Sequence, residues 1–317
     1  MGVDIEIKCP SCRSSKLISL GEAYKASFFC GLKIEGQIPD SLLFECNECG
    51  LLFKYPTFSK KELDCFYSKL DIHNWDCTIE KRNDWKIAKN WIKNYLFSIL
   101  NDEITVLDVA CWTGNFLESL KDNKKLKLYG VEINPTARKI AEEKGITIIA
   151  NDILDLNRAD YKFDIITAFD IIEHLQNPYE FMSILKNIVK ENGIIIIATG
   201  NSDSLAWRIM GKNKYVYSAY PEHISFINKK WCEYISKKLS LKVEMMTEFR
   251  KYNFGLFNYI YTLFLTGIYR ICPAVFSLMR RIKNSIERKE QTCDWDFPPF
   301  WTGWKDHFLV VFKIQKE

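Results

Sequence analysis

The stretch Leu107-Asp108-Val109-Ala110-Cys111-Trp112-Thr113-Gly114-Asn115-Phe116 decides the fold. It continues Ile104-Thr105-Val106, so an almost wholly apolar run enters a turn with one glycine and leaves into a helical pattern. A run of this kind, without polar alternation, reads as a strand buried on both faces of a parallel sheet. A strand that turns directly into a helix aims backbone N–H groups at a polar or anionic ligand. As a G-x-G-x-x-G dinucleotide fingerprint the stretch fails, because Gly114 is the one glycine left.

Outward from this turn the pattern repeats as strand and helix. Strands are expected at Ile104–Val109, Leu126–Ile133, Ile146–Ala150, Phe163–Phe169, Gly193–Ala198, Leu241–Met246 and His307–Ile314. Helices are expected at Ile79–Leu100, Asn115–Lys121, Pro135–Lys144, Pro178–Lys190 and Lys229–Lys238, two of them opening on proline at the first turn. Strands alternating with helices make a parallel α/β sheet. Acidic residues recur at the strand ends: Glu132 after the second, Asn151-Asp152-Ile153 after the third, and Phe169-Asp170-Ile171-Ile172-Glu173-His174 after the fourth. Glu132 stands 24 residues after Asp108, where a carboxylate can bind two ribose hydroxyls.

Upstream lie two Cys-x-x-Cys pairs, Cys9-Pro10-Ser11-Cys12 and Cys46-Asn47-Glu48-Cys49, with Gly50 after the second. Two thiolates three positions apart in a tight turn can meet one tetrahedral ion, and a second pair closes the site. Structural zinc on Cys9, Cys12, Cys46 and Cys49 is the expectation; a redox pair is the lesser rival, since neither starts a helix. The N-terminal MGVDIEIKCPSC has no apolar run behind a basic start, so no signal peptide is expected. Reduced thiols and a cytoplasmic setting follow.

The 317 residues suggest two domains, or one with large additions. The division read here is residues 1–56 as a zinc ribbon, 57–78 as a linker, and 79–317 as an α/β domain with a helical, aromatic insert at 250–305. Net charge is only +4, which argues against a nucleic-acid partner.

In order and spacing, the series from Asp108 to His174 resembles the class I S-adenosylmethionine-dependent methyltransferases, over about residues 100–250 and the final strand. The resemblance implies a seven-stranded sheet of order 3-2-1-4-5-7-6 with the last strand antiparallel. It implies S-adenosylmethionine as cofactor, with Asp108, Ala110 and Gly114 at the methionine part, Glu132 on the ribose, Asp152 with Ile153 at the adenine, and Asp170 beside them. Ala110 and Trp112 stand where the family has glycines.

The segment Ala219-Tyr220-Pro221-Glu222-His223-Ile224-Ser225-Phe226 resembles the Tyr-x-Glu-His-x-Ser segment of sugar C-methyltransferases, which also begin with a cysteine-rich zinc domain. Wider glycan and natural-product methyltransferases share its Pro-Glu-His. His223 is the expected general base, with Glu222 and Tyr220 beside it, because imidazole is tuned for proton transfer near neutrality. His174 is read as structural, and His73 and His307 carry no signal. The sugar enzymes carry a further C-terminal domain after the seventh strand, which is not expected for this sequence, so methylation of a hydroxyl is set beside that of a carbon next to a ketone. The acceptor expected is a sugar, glycan precursor or related small metabolite.

Tyr252–Tyr269 is 18 residues without a charge, followed by Arg270, Ile271–Met279, and then Arg280, Arg281, Lys283, Arg288 and Lys289. A lid or dimer surface is the first reading and a peripheral membrane contact through 252–289 the second; the oligomeric state stays open. Two other functions are carried: a zinc-ribbon RNA methyltransferase, disfavoured because Asn/Asp-Pro-Pro-aromatic is absent after the fourth strand, and a non-catalytic binding module on a degenerate fold, suggested by Trp112.

Overall fold

The computed structural model describes residues 6–74, 78–97, 103–158, 161–251, 255–287, 293–299 and 305–315. In chain order the strands are β1 Leu17–Glu22, β2 Phe28–Phe29, β3 Leu32–Lys33, β4 Leu42–Cys46, β5 Leu52–Tyr55, β6 Ile104–Val109, β7 Leu126–Val131, β8 Thr147–Ala150, β9 Phe163–Phe169, β10 Val189–Gly200, β11 Ser225–Phe226, β12 Leu241–Phe249 and β13 His307–Ile314. The helices are α1 Lys60–Ser68, α2 Asn83–Phe97, α3 Asn115–Glu118, α4 Pro135–Glu143, α5 Pro178–Ile188, α6 Leu205–Met210, α7 Lys229–Lys238, α8 Leu256–Ile271 and α9 Pro273–Glu287.

Seven strands form one sheet, β8-β7-β6-β9-β10-β13-β12. Numbered within the sheet this is 3-2-1-4-5-7-6, and β13 runs antiparallel to both β10 and β12. The central strands are buried throughout because their apolar runs are covered on both faces. On one face Ala88 and Ile92 of α2, Phe116 of α3 and Ala141 of α4 pack against β6 and β9. On the other, α5 and α7 pack with Phe181, Leu185, Trp231 and Ile235.

The structure differs from the expectation at element ends. The fifth strand of the sheet starts at Val189, four residues early, because α5 stops at Ile188 and the chain runs straight on. The sixth extends to Phe249, held by β13 along its whole length. The start of the first expected helix is not helical: α2 begins at Asn83, and residues 98–100 lie outside the described residues.

The N-terminal strands build a second sheet, β1-β4-β5-β11. Its last strand, β11, belongs to the segment that carries His223, and pairs Ser225 with Phe53 and Phe226 with Leu52. Residues 57–78, expected as a linker, contain α1, closed at its start by a reciprocal capping box between Ser59 and Glu62. The N-terminal part therefore lies against the carboxyl ends of the parallel strands, where ligands of such sheets bind.

Candidate active site

A cavity of about 550 Å³ opens over those strand ends. This volume suits a cofactor-sized ligand. Its walls include Asp108, Ala110, Trp112, Glu132, Asp152, Ile153, Asp170, Glu222 and His223, together with Lys60 and Tyr67 of α1.

The turn after β6 holds three residues in left-handed conformation, Ala110 (φ 58°), Trp112 (φ 51°) and Gly114 (φ 74°). Ala110 and Trp112 thus hold a backbone that favours glycine, at roughly 1–2 kcal/mol each. Gly114 has no such freedom of replacement: a Cβ there would stand 2.2 Å from Ile146 Cδ1. It carries no cavity-lining side chain; its part is to let α3 start close against the neighbouring elements. Trp112 Nε1 donates to the Ile72 carbonyl, 3.2 Å away, and the ring packs against the apolar cluster that holds Leu70 and Phe58.

Two carboxylates are sunk into the floor. Glu132 accepts the N–H groups of Trp112 and Asn134, each at 2.8 Å, and burial pushes its carboxyl pKa up. Asp108 accepts from Thr167 Oγ1 at 2.6 Å; burial pushes it up to about 7. Thr113 Oγ1 is buried with no partner among the described residues. Acceptor lone pairs outnumber donors here, which suits a ligand bringing hydroxyls and an ammonium group. Asp152 pairs with Lys60 and also accepts from Leu154 N, so α1 reaches across to the third strand of the main sheet. Asp170 (φ 51°) lies between Arg82 at 2.6 Å and Lys251 at 2.8 Å. Burial alone would raise its carboxyl, but the two cations outweigh it and hold it below the usual carboxylate range.

His223 and His174 lie tilted against one another, with ring centroids 4.7 Å apart. His223 Nδ1 lies 2.7 Å from the Tyr217 carbonyl, and Nε2 is 3.8 Å from Glu222 Oε1. Burial first, then His174 and nearby lysines, hold its pKa well below the ordinary 6.5. His174 Nδ1 contacts the Glu222 carbonyl at 2.8 Å and the Tyr67 hydroxyl at 2.7 Å.

Tyr220 lies elsewhere: fully buried outside the cavity wall, it stacks on Phe58 and its hydroxyl accepts from Phe58 N at 3.0 Å. The tyrosines in the wall are Tyr67, Tyr215 and Tyr217; of these Tyr217 packs on the His223 ring, donates to the buried Glu173 and accepts from Gly200 N at 3.1 Å. No motif singles it out. His307, which gave no sequence signal, lines the cavity as well. Its Nδ1 is 2.9 Å from Asp306 Oδ1, Tyr215 donates to the other oxygen of Asp306, and Nε2 is buried without a partner among the described residues.

The four sulfurs of Cys9, Cys12, Cys46 and Cys49 lie within 4.8 Å of one another, with Cys9–Cys49 at 3.5 Å and Cys12–Cys46 at 3.4 Å. A tetrahedral ion with bonds of about 2.3 Å needs sulfurs about 3.8 Å apart, so zinc fits. The two turns match: Arg13 (φ 62°) and Gly50 (φ 80°) each follow a second cysteine and donate back to the carbonyl of the first, Cys9 or Cys46. Cys30 is not in the cluster; its thiol faces Glu222. The knuckle is anchored to α7, whose Trp231 Nε1 donates to Ser11 Oγ at 3.0 Å.

Residues 84–238 match a family model described as a methyltransferase domain. A ubiquinone biosynthesis O-methyltransferase of Pasteurella multocida is 30% identical over 121 residues, covering 33% of this chain and 50% of the relative. One of the same name from Nitrosomonas europaea is 25% identical over 191 residues, 55% of this chain and 80% of the relative. The chain spans about half the length of the curated relatives it matches first. Among solved structures, the [4+2]-cyclase SpnF superposes with a TM-score of 0.52 at 13% identity, covering 83% of this chain and 99% of that one. That likeness concerns fold alone. The family match, with the seven-stranded sheet and acidic strand ends beneath it, makes residues 84–238 a class I S-adenosylmethionine-dependent methyltransferase domain.

Proposed function

We propose that the protein transfers a methyl group from S-adenosylmethionine to a hydroxyl of a small-molecule acceptor, with His223 as general base. The cofactor supplies the electrophilic methyl group. Asp108 and the Gly114 turn would hold its methionine part, Glu132 its ribose, and Asp152 with Ile153 its adenine, with Asp170 nearby. The observation that carries the base assignment is the contact of His223 Nδ1 with the Tyr217 carbonyl. A carbonyl only accepts, so Nδ1 bears the proton and Nε2 the lone pair. Low basicity keeps that lone pair open at neutral pH, and the Glu222 carboxylate favours the imidazolium once a proton arrives.

The named relatives are O-methyltransferases, which supports oxygen over carbon. They give no support to a sugar or glycan acceptor, so the acceptor class is left at a small-molecule hydroxyl. Residues 1–56 would form a structural zinc unit on the four cysteines. Calorimetric titration with S-adenosylmethionine and S-adenosylhomocysteine tests the reading. One saturable site, lost in Glu132→Ala, is expected; no binding at millimolar ligand would overturn it.

A further inference from the structure

We propose that the α8–α9 hairpin docks the protein onto an anionic lipid surface. Its apolar faces are turned outward. Phe257, Ile260 and Phe264 of α8 are 80%, 58% and 59% exposed, and Leu278, Ile282 and Ile286 of α9 are 57%, 51% and 76% exposed. The α9 residues recur at three- and four-residue spacing, the stripe by which an amphipathic helix normally faces a core. Here the inward side carries Phe276, packed edge-on against Tyr269, and Arg280, which donates to the carbonyls of Asp294 and Phe297. An exposed stripe of this size is an interaction surface.

Charge selects the partner. Residues 252–290 hold six cations (Arg270, Arg280, Arg281, Lys283, Arg288, Lys289) and two acids (Glu287, Glu290). Six minus two is four, the entire +4 of the chain, so the rest of the molecule is neutral on balance. A second copy docked face to face would set this excess against itself, because a two-fold interface pairs the same patch with itself. An anionic bilayer meets the apolar stripe and the cations together; helical spacing puts Arg281, over the Trp295 ring, and Lys283, 3.9 Å from Glu287, on opposite sides of the stripe, and basic side chains that flank such a stripe can extend to head groups. The hairpin lies on the bilayer and does not cross it: α8 has 16 residues, about 24 Å at 1.5 Å per residue, against a hydrocarbon core of about 30 Å. No helix among the described residues is long and apolar enough to span.

The inward side of the hairpin adjoins the cavity. Phe297, whose carbonyl Arg280 holds at 2.6 Å, lines it. Resting on the methyl-transfer reading, docking would bring the cavity close to molecules carried in the bilayer; the docking itself stands apart from that reading.

Flotation with vesicles tests it. The full chain should float with phosphatidylcholine vesicles containing about one-third phosphatidylglycerol at least tenfold more strongly than with pure phosphatidylcholine, and high salt should weaken the binding. The double variant Leu278→Glu/Ile282→Glu should stay in solution while binding S-adenosylhomocysteine like the parent. Absence of flotation, or equal flotation on both vesicles, would overturn the proposal. So would a dimer in sedimentation that the double variant dissolves. Vesicle binding without S-adenosylhomocysteine binding would leave the docking standing and remove the methyltransferase reading instead.

Discussion

His223 Nδ1 sits 2.7 Å from the carbonyl oxygen of Tyr217, and this single contact sets which nitrogen of the ring can take a proton. His223→Ala should therefore lower turnover by about 10²–10⁴-fold, the usual contribution of a general base. S-adenosylhomocysteine affinity should change little. The assay is methyl transfer to an acceptor drawn from a panel of catechols, phenols and hydroxylated metabolites. Turnover within a few-fold of the parent would dismiss His223 as base. The ring is unprotonated above its depressed pKa, so the acid limb of the rate profile should fall below pH 6.5.

His307 is expected to act differently. Its Nε2 is buried without a partner among the described residues, the residue lines the cavity, and Asp306 orients the ring. His307→Gln should raise the acceptor KM several-fold and leave kcat nearly unchanged. A collapse of kcat matching that of His223→Ala would exchange the two roles.

Cofactor affinity should depend on pH through Asp108. Burial lifts this carboxyl to about 7 in the folded protein, against 3.8 ordinarily. Its ionised form, which an ammonium group requires, is lost as pH falls through 7. Calorimetric affinity for S-adenosylhomocysteine should weaken by up to about tenfold per pH unit below that point. In Asp108→Asn the affinity should be low and flat across the same range. The same shift makes ionised Asp108 a stability liability: it contributes most below pH 3.8 and loses that contribution as pH rises through 7.

Metal analysis should return about one zinc per chain, as one closed four-cysteine site requires. Cys46→Ser or a strong chelator should lower the melting temperature. A folded, metal-free protein with unchanged melting would exclude the zinc unit.

Lys54 is buried, and its amine donates to the carbonyls of Ser218 at 2.5 Å and His223 at 2.6 Å. Lys54→Met would strand both oxygens, at a cost of about 1–3 kcal/mol each. Thermal melting should drop by several degrees, and turnover should fall because the segment bearing His223 loosens. An unchanged melting curve would dispose of the clamp.

The central parallel strands were legible because they are largely runs of apolar residues that a doubly covered strand accommodates, as in Gly193-Ile194-Ile195-Ile196-Ile197. The cavity-lining acids were legible because strand ends are where such sheets bind ligands. Tyr217, His307 and Lys54 were not. Each owes its place to contacts made across long sequence separations, such as Lys54 with His223, and no local spacing encodes these. Tyr220 misled for the opposite reason. It sits beside the Glu-His pair in sequence, but its ring is drawn into the apolar cluster around Phe58.

The pairing of β5 with β11 has a consequence for how this chain can be assembled and altered. The N-terminal sheet is completed by residues that leave the ribosome some 170 positions after β5, so its final strand joins only when most of the chain has been synthesised. An exchange of residues 1–56 for another cysteine-rich segment would remove Lys54 and the edge on which the His223 segment rests. The amino-terminal segment is therefore not an interchangeable cassette, and any lineage that keeps the reaction must alter the two parts in step.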